Sequence, residues 1–294
     1  MNAYLVDAFT DRPYSGNPAG VVLDADSLSP EDRLKFACEL RISETAFVSK
    51  SSQADYKVEF YTPTMEVDFC GHATIATFLV LARVGRIPVE EGGRIELRQE
   101  TKAGVLPVFV AKRDGQTFVT MTQRTPQFKP LPTDVPNFLM MLHLPKTDLD
   151  DLYPIQMANT GNWHIMVAVR SPEVLNGINV VPEKLKTYMV KHKIATVDVF
   201  CAVEPRVYQC RNFGPGVGVP EDPVTGSAAG ALGSYLANVG MLDDGVTEFK
   251  VRQGDAIGRP GQAYVRIESE RGKVKLVQVT GTGVIVLKLD QPGI

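Results

Sequence analysis

Residues 66–85 read EVDFCGHATIATFLVLARVG. Ile75, Ala76, Phe78, Leu79, Val80, Leu81, Ala82 and Val84 would fall on every side of a helix. A helix apolar all round has to be enclosed by other structure. Gly85 ends the run, as glycine commonly does at a helix C-terminus. Cys70, Gly71 and His72 stand at the opposite end. That end of a helix offers unpaired backbone N–H groups and a partial positive charge.

The stretch has a counterpart. CGHATIATFLVLARVG (70–85) aligns with TGSAAGALGSYLANVG (225–240), with Gly71 over Gly226, Ala73 over Ala228, Leu81 over Leu236 and Gly85 over Gly240. Downstream, Arg98-Gln99 aligns with Arg252-Gln253; upstream, GNPAGVVL (16–23) resembles GNWHIMVAV (161–169). Matches in the same order at nearly one spacing point to a duplication whose period is too long for a solenoid, so each copy reads as a domain. Residues 1–125 and 126–294 are the expected domains, with the last strand able to pack back on the first. The boundary is placed in QRTPQFKPLPTDVP (123–136), whose prolines interrupt regular structure.

Both halves are rich in strand patterns. YKVEFYT (56–62), TFVTMTQ (117–123), AYVRIES (263–269) and KVKLVQVT (273–280) alternate apolar and polar residues; RIELRQ (94–99) and TEFKVRQ (247–253) do so less strictly. One peripheral helix is expected in each half. In the first it is SPEDRLKFACEL (29–40), with Ser29 as cap and Leu34, Ala37 and Cys38 on its inner face. The fold class is therefore α+β: two pseudo-symmetric domains, each a curled, mostly antiparallel sheet around a central helix. Gly71 and Gly226 hold equivalent places, and a pseudo-twofold axis would set the two helix N-termini across a cleft. Such a pair of ends traps a carboxylate and stabilises an enolate beside it.

Composition excludes other classes. A net charge of −3 and a pI near 5.9 give no footing for nucleic acid or an acidic membrane surface. The apolar run from Ile75 is too short to span a bilayer, and Asp7 and Asp11 interrupt any signal-peptide core. Cys38, Cys70, Cys201 and Cys210 form no CxxC pair, and the histidines are scattered, so a reduced, cytoplasmic chain without a structural metal is expected. Cys38, Cys201 and Cys210 read as core residues. GPGVGVP (214–220) lacks the Lys-Ser/Thr of a phosphate loop and reads as a flexible approach to Asp222.

SETAFV (43–48), CGHAT (70–74), EDPVTGSA (221–228) and DAFTDRPYSGNPAGVVL (7–23) resemble the signature segments of the PhzF family, the phenazine-biosynthesis isomerases and their relatives. The resemblance runs from residue 4 to about residue 286. It implies the diaminopimelate-epimerase fold and a cofactor-independent isomerase that moves a proton between carbons of a small carboxylate substrate. Glu44 matches the general acid/base, while His72 and Asp222 match residues that assist proton transfer. Gly71, Ala73, Gly226 and Ser227 form the carboxylate-binding end, and Asn17 is a further substrate-site candidate. Relatives often form homodimers.

Cys70 is a further catalytic candidate. Epimerases of this fold use one cysteine from each half, but here Thr225 stands opposite Cys70, with Asp222 three residues earlier in a longer loop. An amino-acid racemase or epimerase using Cys70 is one alternative, and a non-catalytic carboxylate-binding protein another. At the helix N-terminus Cys70 is expected to lean toward thiolate and His72 toward a neutral ring.

Overall fold

The computed structural model describes residues 2–290. The chain separates into two compact units, one running to Thr122 and rejoined by the segment from Thr280 onward, the other Gln123–Val279.

In the first unit, β1 (Asn2–Ala8), β2 (Asn17–Leu23), α1 (Pro30–Leu40), β3 (Glu44–Ser49), β4 (Tyr56–Tyr61), β5 (Glu66–Val67), α2 (Gly71–Arg83), β6 (Arg94–Thr101), β7 (Gly104–Arg113) and β8 (Gln116–Thr122) follow in order. The second unit contains β9 (Gln127–Pro130), α3 (Val135–Met141), β10 (Gln156–Asn159), β11 (Trp163–Ala168), α4 (Pro172–Gly177), α5 (Pro182–His192), β12 (Thr196–Glu204) and β13 (Val207–Gly214). It continues with β14 (Val219–Asp222), α6 (Gly226–Asn238), β15 (Gly245–Gln253), β16 (Gly261–Glu270) and β17 (Lys273–Gly281), whose last two residues already belong to the first unit. β18 (Gly283–Asp290) returns to pair antiparallel with β1.

The first unit is a mixed sheet. β1 pairs antiparallel with β2, β3 with β4, β6 with β7 and β7 with β8. The pairs β2–β3 and β4–β6 are parallel, and helices α1 and α2 make the respective crossovers. α2 packs against β1, β2, β3, β7, β8 and β18. These strands lie at both ends of the strand order, so the sheet curls around the helix. Residues 72–81 of α2 are all buried, as a helix without a polar face requires. Gly85, at φ 79°, closes the helix. α1 lies outside, capped by Ser29, which accepts from the Asp32 N–H. Its Ala37, Leu34 and Phe36 pack on Val22, Phe47 and Tyr61.

In the second unit the parallel pairs are β11–β12 and β13–β15, and α6 packs on β10, β11 and β16. α6 is made of small residues because its backbone lies close to its neighbours: a Cβ on Gly233 would come within 2.8 Å of Ile267. Three outer helices, not one, cover this unit. α3 and α4 are capped by Asp134 and Ser171, each followed by an early proline, and α5 also opens on proline. Phe138, Leu139, Leu175, Leu185, Tyr188 and Met189 from these helices close a core over Ile165, Val167, Val197 and Val199.

Other expectations are corrected. The proline-rich stretch includes β9, which pairs with β10 and ends on Pro130. GPGVGVP is an ordered 3-10 turn, Pro215–Val217, running into β14. Cys201 and Cys210 are buried, but Cys38 is exposed, because the inner stripe of α1 runs through Arg33 and Ala37 and leaves Cys38 turned outward. Among the described residues no helix is long and apolar enough to cross a membrane.

The enclosure of α2 gives a direct test. Leu81 is fully buried, whereas Val84 is 40% exposed. Leu81→Ala is expected to cost about 2–5 kcal/mol and Val84→Ala roughly 0.5 kcal/mol or less, read from urea-unfolding free energies.

Candidate active site

The N-terminus of α2 gathers three reactive side chains. Cys70 is the N-cap residue, in extended backbone, and its side chain makes no cap hydrogen bond. Instead its carbonyl accepts from the N–H of Thr74 at 3.1 Å and the hydroxyl of Thr74 at 2.8 Å. Gly71 and His72 open the helix, with Ala73 buried behind them. Glu44 begins β3, beside Ala19 of β2 in parallel register. Asn17 lies two residues before Ala19, at the same end of β2, and is buried.

Glu44 Oε2 lies 3.2 Å from His72 Nε2, Ser43 Oγ is also 3.2 Å from that nitrogen, and Cys70 Sγ is 3.5 Å from His72 Nδ1. The electrostatics follow from this cluster. At Glu44 burial favours the neutral acid, but the His72 imidazolium, helped by Ser43 and Cys70, outweighs it and holds the carboxyl below its ordinary range. At His72 burial opposes the charged ring, but the Cys70 sulfur and the Glu44 carboxylate outweigh it, and the pKa stands well above 6.5. At Cys70 burial, then the Glu44 carboxylate, push the thiol up. Both directions run against the expectations for this end: the Cys70 thiol is pushed up and the His72 ring is raised.

The second unit holds the other candidates. Asp222 is the last residue of β14, in a strand and not a loop, opposite Asn212 of β13. The Thr225 hydroxyl donates to the Asp222 carboxylate. Gly226 is buried at the first position of α6, with Ser227 next to it. Thr225, the cap residue, makes no side-chain cap hydrogen bond, and neither α2 nor α6 has an acidic residue in its first turn. Their first N–H groups are thus without the oxygen caps that close α1, α3 and α4.

Several residues near these positions were not singled out from the sequence. Ser43 is one. Gln253 is another: its amide Nε2 donates to the Asp222 carbonyl at 2.7 Å and to Thr225 Oγ1 at 3.1 Å, while its Oε1 accepts from the Thr225 N–H at 3.3 Å. Gly254, at φ 90°, lets this turn close, because a Cβ there would sit 2.7 Å from the Pro223 carbonyl and 2.2 Å from that of Arg259. The repeated Arg-Gln pair carried the signal for Gln253. Behind Asn212 lies a buried polar cluster. Asn212 Nδ2 donates to Thr196 Oγ1 and to Asp198 Oδ1, both at 2.9 Å, and Thr196 Oγ1 is 2.7 Å from His164 Nδ1. Burial lowers His164 to about 3 and raises Asp198 to about 7. Asp198 interrupts the apolar run VDVFCAV (197–203), the visible sign of a buried acid.

Two measurements check this arrangement. In long-range 1H–15N spectra at neutral pH, His72 should show the imidazolium pattern and His164 a neutral ring. The linkage signs are opposite. The stability His72 contributes is full below pH 6.5, its ordinary value, and fades as pH rises through its higher folded value. His164 withdraws stability as pH falls from 6.5 toward about 3, because only the unfolded chain takes up its proton there. Separately, Gln253→Leu strands the half-buried N–H of Thr225 and carbonyl of Asp222 and should cost about 1 kcal/mol or more in denaturant unfolding.

The family model for PhzC-PhzF, described as phenazine biosynthesis-like protein, matches residues 6–288. An uncharacterized isomerase of Clostridium acetobutylicum is 36% identical, over 98% of this chain and 97% of the relative. The trans-2,3-dihydro-3-hydroxyanthranilate isomerase of Pseudomonas chlororaphis is 31% identical, over 95% of each. The crystal structure of a Bacillus anthracis phenazine biosynthesis protein of the PhzF family superposes with a TM-score of 0.89 at 34% identity, covering 98% of both chains. With a mixed α+β fold shared with a PhzF structure and relatives named as isomerases, the chain belongs to the PhzC-PhzF family and is an isomerase.

Proposed function

We infer that this isomerase moves a proton between two carbons of a small, carboxylate-bearing substrate, without a cofactor, and that Glu44 carries the proton. The observation behind this reading is the Glu44–His72 ion pair, 3.2 Å apart, at an uncapped helix N-terminus. An ionised carboxylate is ready to accept a proton at neutral pH. Its low pKa makes it a weak base in the resting enzyme. A bound anion that excludes water destabilises the charged form and strengthens the base as the substrate arrives.

In this reading the backbone N–H groups of Gly71 and Ala73 hold negative charge on the substrate, since a helix N-terminus favours an anion. Glu44 takes the proton from carbon, the negative charge spreads into the conjugated carboxylate as an enolate, and Glu44 returns the proton to another carbon. The His72 imidazolium stabilises that charge by hydrogen bonding to oxygen. In the second unit Asp222, Gly226 and Ser227 are proposed substrate contacts, the sequence alignment setting Gly226 against Gly71 and Ser227 against His72, and Asn17 is a further proposed contact in the first. The raised thiol of Cys70 speaks against a resting thiolate base, and so against the racemase alternative.

The first substrate to try is trans-2,3-dihydro-3-hydroxyanthranilate, the compound for which a relative is named. It and other small unsaturated carboxylates are incubated with the enzyme in heavy water, and carbon-bound deuterium is followed by NMR and mass spectrometry. On any substrate that exchanges, Glu44→Gln should slow incorporation by about 100-fold or more. Exchange as fast as the wild type would remove Glu44 from the proton-carrying role. Full activity in Cys70→Ala is expected within a few-fold.

A further inference from the structure

We propose that Glu44, Cys70 and His72 also form a binding site for a thiophilic divalent cation such as zinc, and that the ion inhibits the enzyme by occupying its proton-transfer groups. All three donors belong to the first unit, and one ligand atom from each lies within 4.8 Å of the others. The donor set, one sulfur, one imidazole nitrogen and one carboxylate oxygen, is the chemistry zinc prefers.

The spacings fit a shared ion. Tetrahedral zinc, with bonds of about 2.0 Å to nitrogen and oxygen and about 2.3 Å to sulfur, holds its nitrogen and oxygen ligands roughly 3.3 Å apart and its nitrogen and sulfur ligands roughly 3.5 Å apart. Here Glu44 Oε2 is 3.2 Å from His72 Nε2, and Cys70 Sγ is 3.9 Å from the same nitrogen. The nitrogen–sulfur separation is about 0.4 Å longer than that value, and the oxygen–sulfur separation is within 4.8 Å. Glu44 Oε2 is buried and makes no hydrogen bond despite its nearness to the ring, so its lone pairs are not committed to an aligned donor. The Glu44 side chain keeps 21% exposure, although Oε2 itself is buried.

Binding involves no redox change. Zinc forms bonds to sulfur, nitrogen and oxygen; the Cys70 S–H bond breaks and its proton leaves to solvent, as does the ring proton of His72 from the site-facing nitrogen. The positive end of α2 opposes a cation but favours the thiolate that the metal creates, so the two effects offset each other in part. The inhibitory consequence rests on the proton-transfer role proposed above; the binding itself rests on geometry alone.

The test uses metal-free, full-length protein with no substrate present. Zinc is titrated against a chromophoric chelator, and cobalt is added separately to read a near-ultraviolet thiolate-to-metal band. The wild type should take up one equivalent and show the band. Cys70→Ser should abolish the band, and Cys70→Ser, His72→Gln and Glu44→Gln should each weaken zinc binding by at least ~10-fold. Cys38→Ser, which removes the exposed cysteine, should bind like the wild type. Absence of stoichiometric uptake, a band that survives Cys70→Ser, or binding lost in Cys38→Ser would overturn the proposal. Failure here leaves the isomerase reading untouched. Failure of deuterium exchange in zinc-free enzyme would count against that reading alone.

Discussion

A helix with no polar face cannot rest on a surface, and the first unit is arranged around that constraint. The buried side chains of α2, from His72 to Leu81, must meet apolar neighbours in every direction. One flat sheet covers one side of a helix; only a sheet that curls can cover the rest. The strands touching α2 come from both ends of the pairing order, which is what curling requires. The consequence reaches the chemistry. A helix held on all sides cannot slide or tilt, so its N-terminus is a fixed point, and Cys70, Gly71 and His72 are fixed with it. Parallel pairing of β3 to β2 then sets Glu44 at the same cluster, although it is 28 residues from His72 in the chain.

Within the cluster, three groups compete for protons, and magnitudes decide the outcome. A helix terminus is worth about 0.3–1 kcal/mol to a nearby charge, and one pKa unit corresponds to about 1.4 kcal/mol. The α2 N-terminus alone therefore moves Cys70 or His72 by less than about one unit. Full burial moves a pKa by up to about 3–5 units, and a carboxylate in contact adds to that. Cys70, buried and near Glu44, becomes a thiol against the pull of the helix end. His72, beside the Cys70 sulfur and the same carboxylate, is raised against both burial and the helix end. The negative charge of Glu44 contributes to both shifts: it disfavours the Cys70 anion and favours the His72 cation.

The sequence made much of this legible. The all-round apolar run, the glycine at its end, the alternating strands and the Ser29 cap are local patterns with one physical reading each, and the structure contains them. The approach of Glu44 to His72 was legible only through a resemblance, since nothing local marks a glutamate at a strand start as buried. Of the outer helices of the second unit, α5 is as long as α1 but has no capping side chain at Val181, and α3 and α4 are short, 7 and 6 residues. Their capping Ser171 and Asp134, each before an early proline, were the available signs. Cys38 was misjudged because a single helical position one step past Ala37 turns from inside to outside. The ionisation of Cys70 and His72 depends on contacts between residues distant in sequence, which a local reading cannot weigh.

The two units anchor their helix entrances differently. At α2 the cap residue's carbonyl is bonded to Thr74, and its side chain faces the reactive cluster. At α6 a buried amide does the anchoring: Gln253 ties the Asp222 carbonyl to the Thr225 hydroxyl and amide, and Gly254 folds tightly enough to let it reach. The Thr225 hydroxyl is spent on Asp222 and so cannot cap the helix, which keeps the first N–H groups of α6 without an oxygen cap. An amide suits this place better than a charged side chain, because it donates and accepts at once and adds no net charge beside Asp222. The same position in the first half is Gln99, also buried, whose Oε1 has no hydrogen-bond partner. There the turn into α2 is two residues shorter by the sequence alignment, so an amide that clamps the longer turn has nothing equivalent to hold. The glutamine is kept in both halves, but only in the longer turn is its Oε1 bonded, and that turn is the one that presents Asp222.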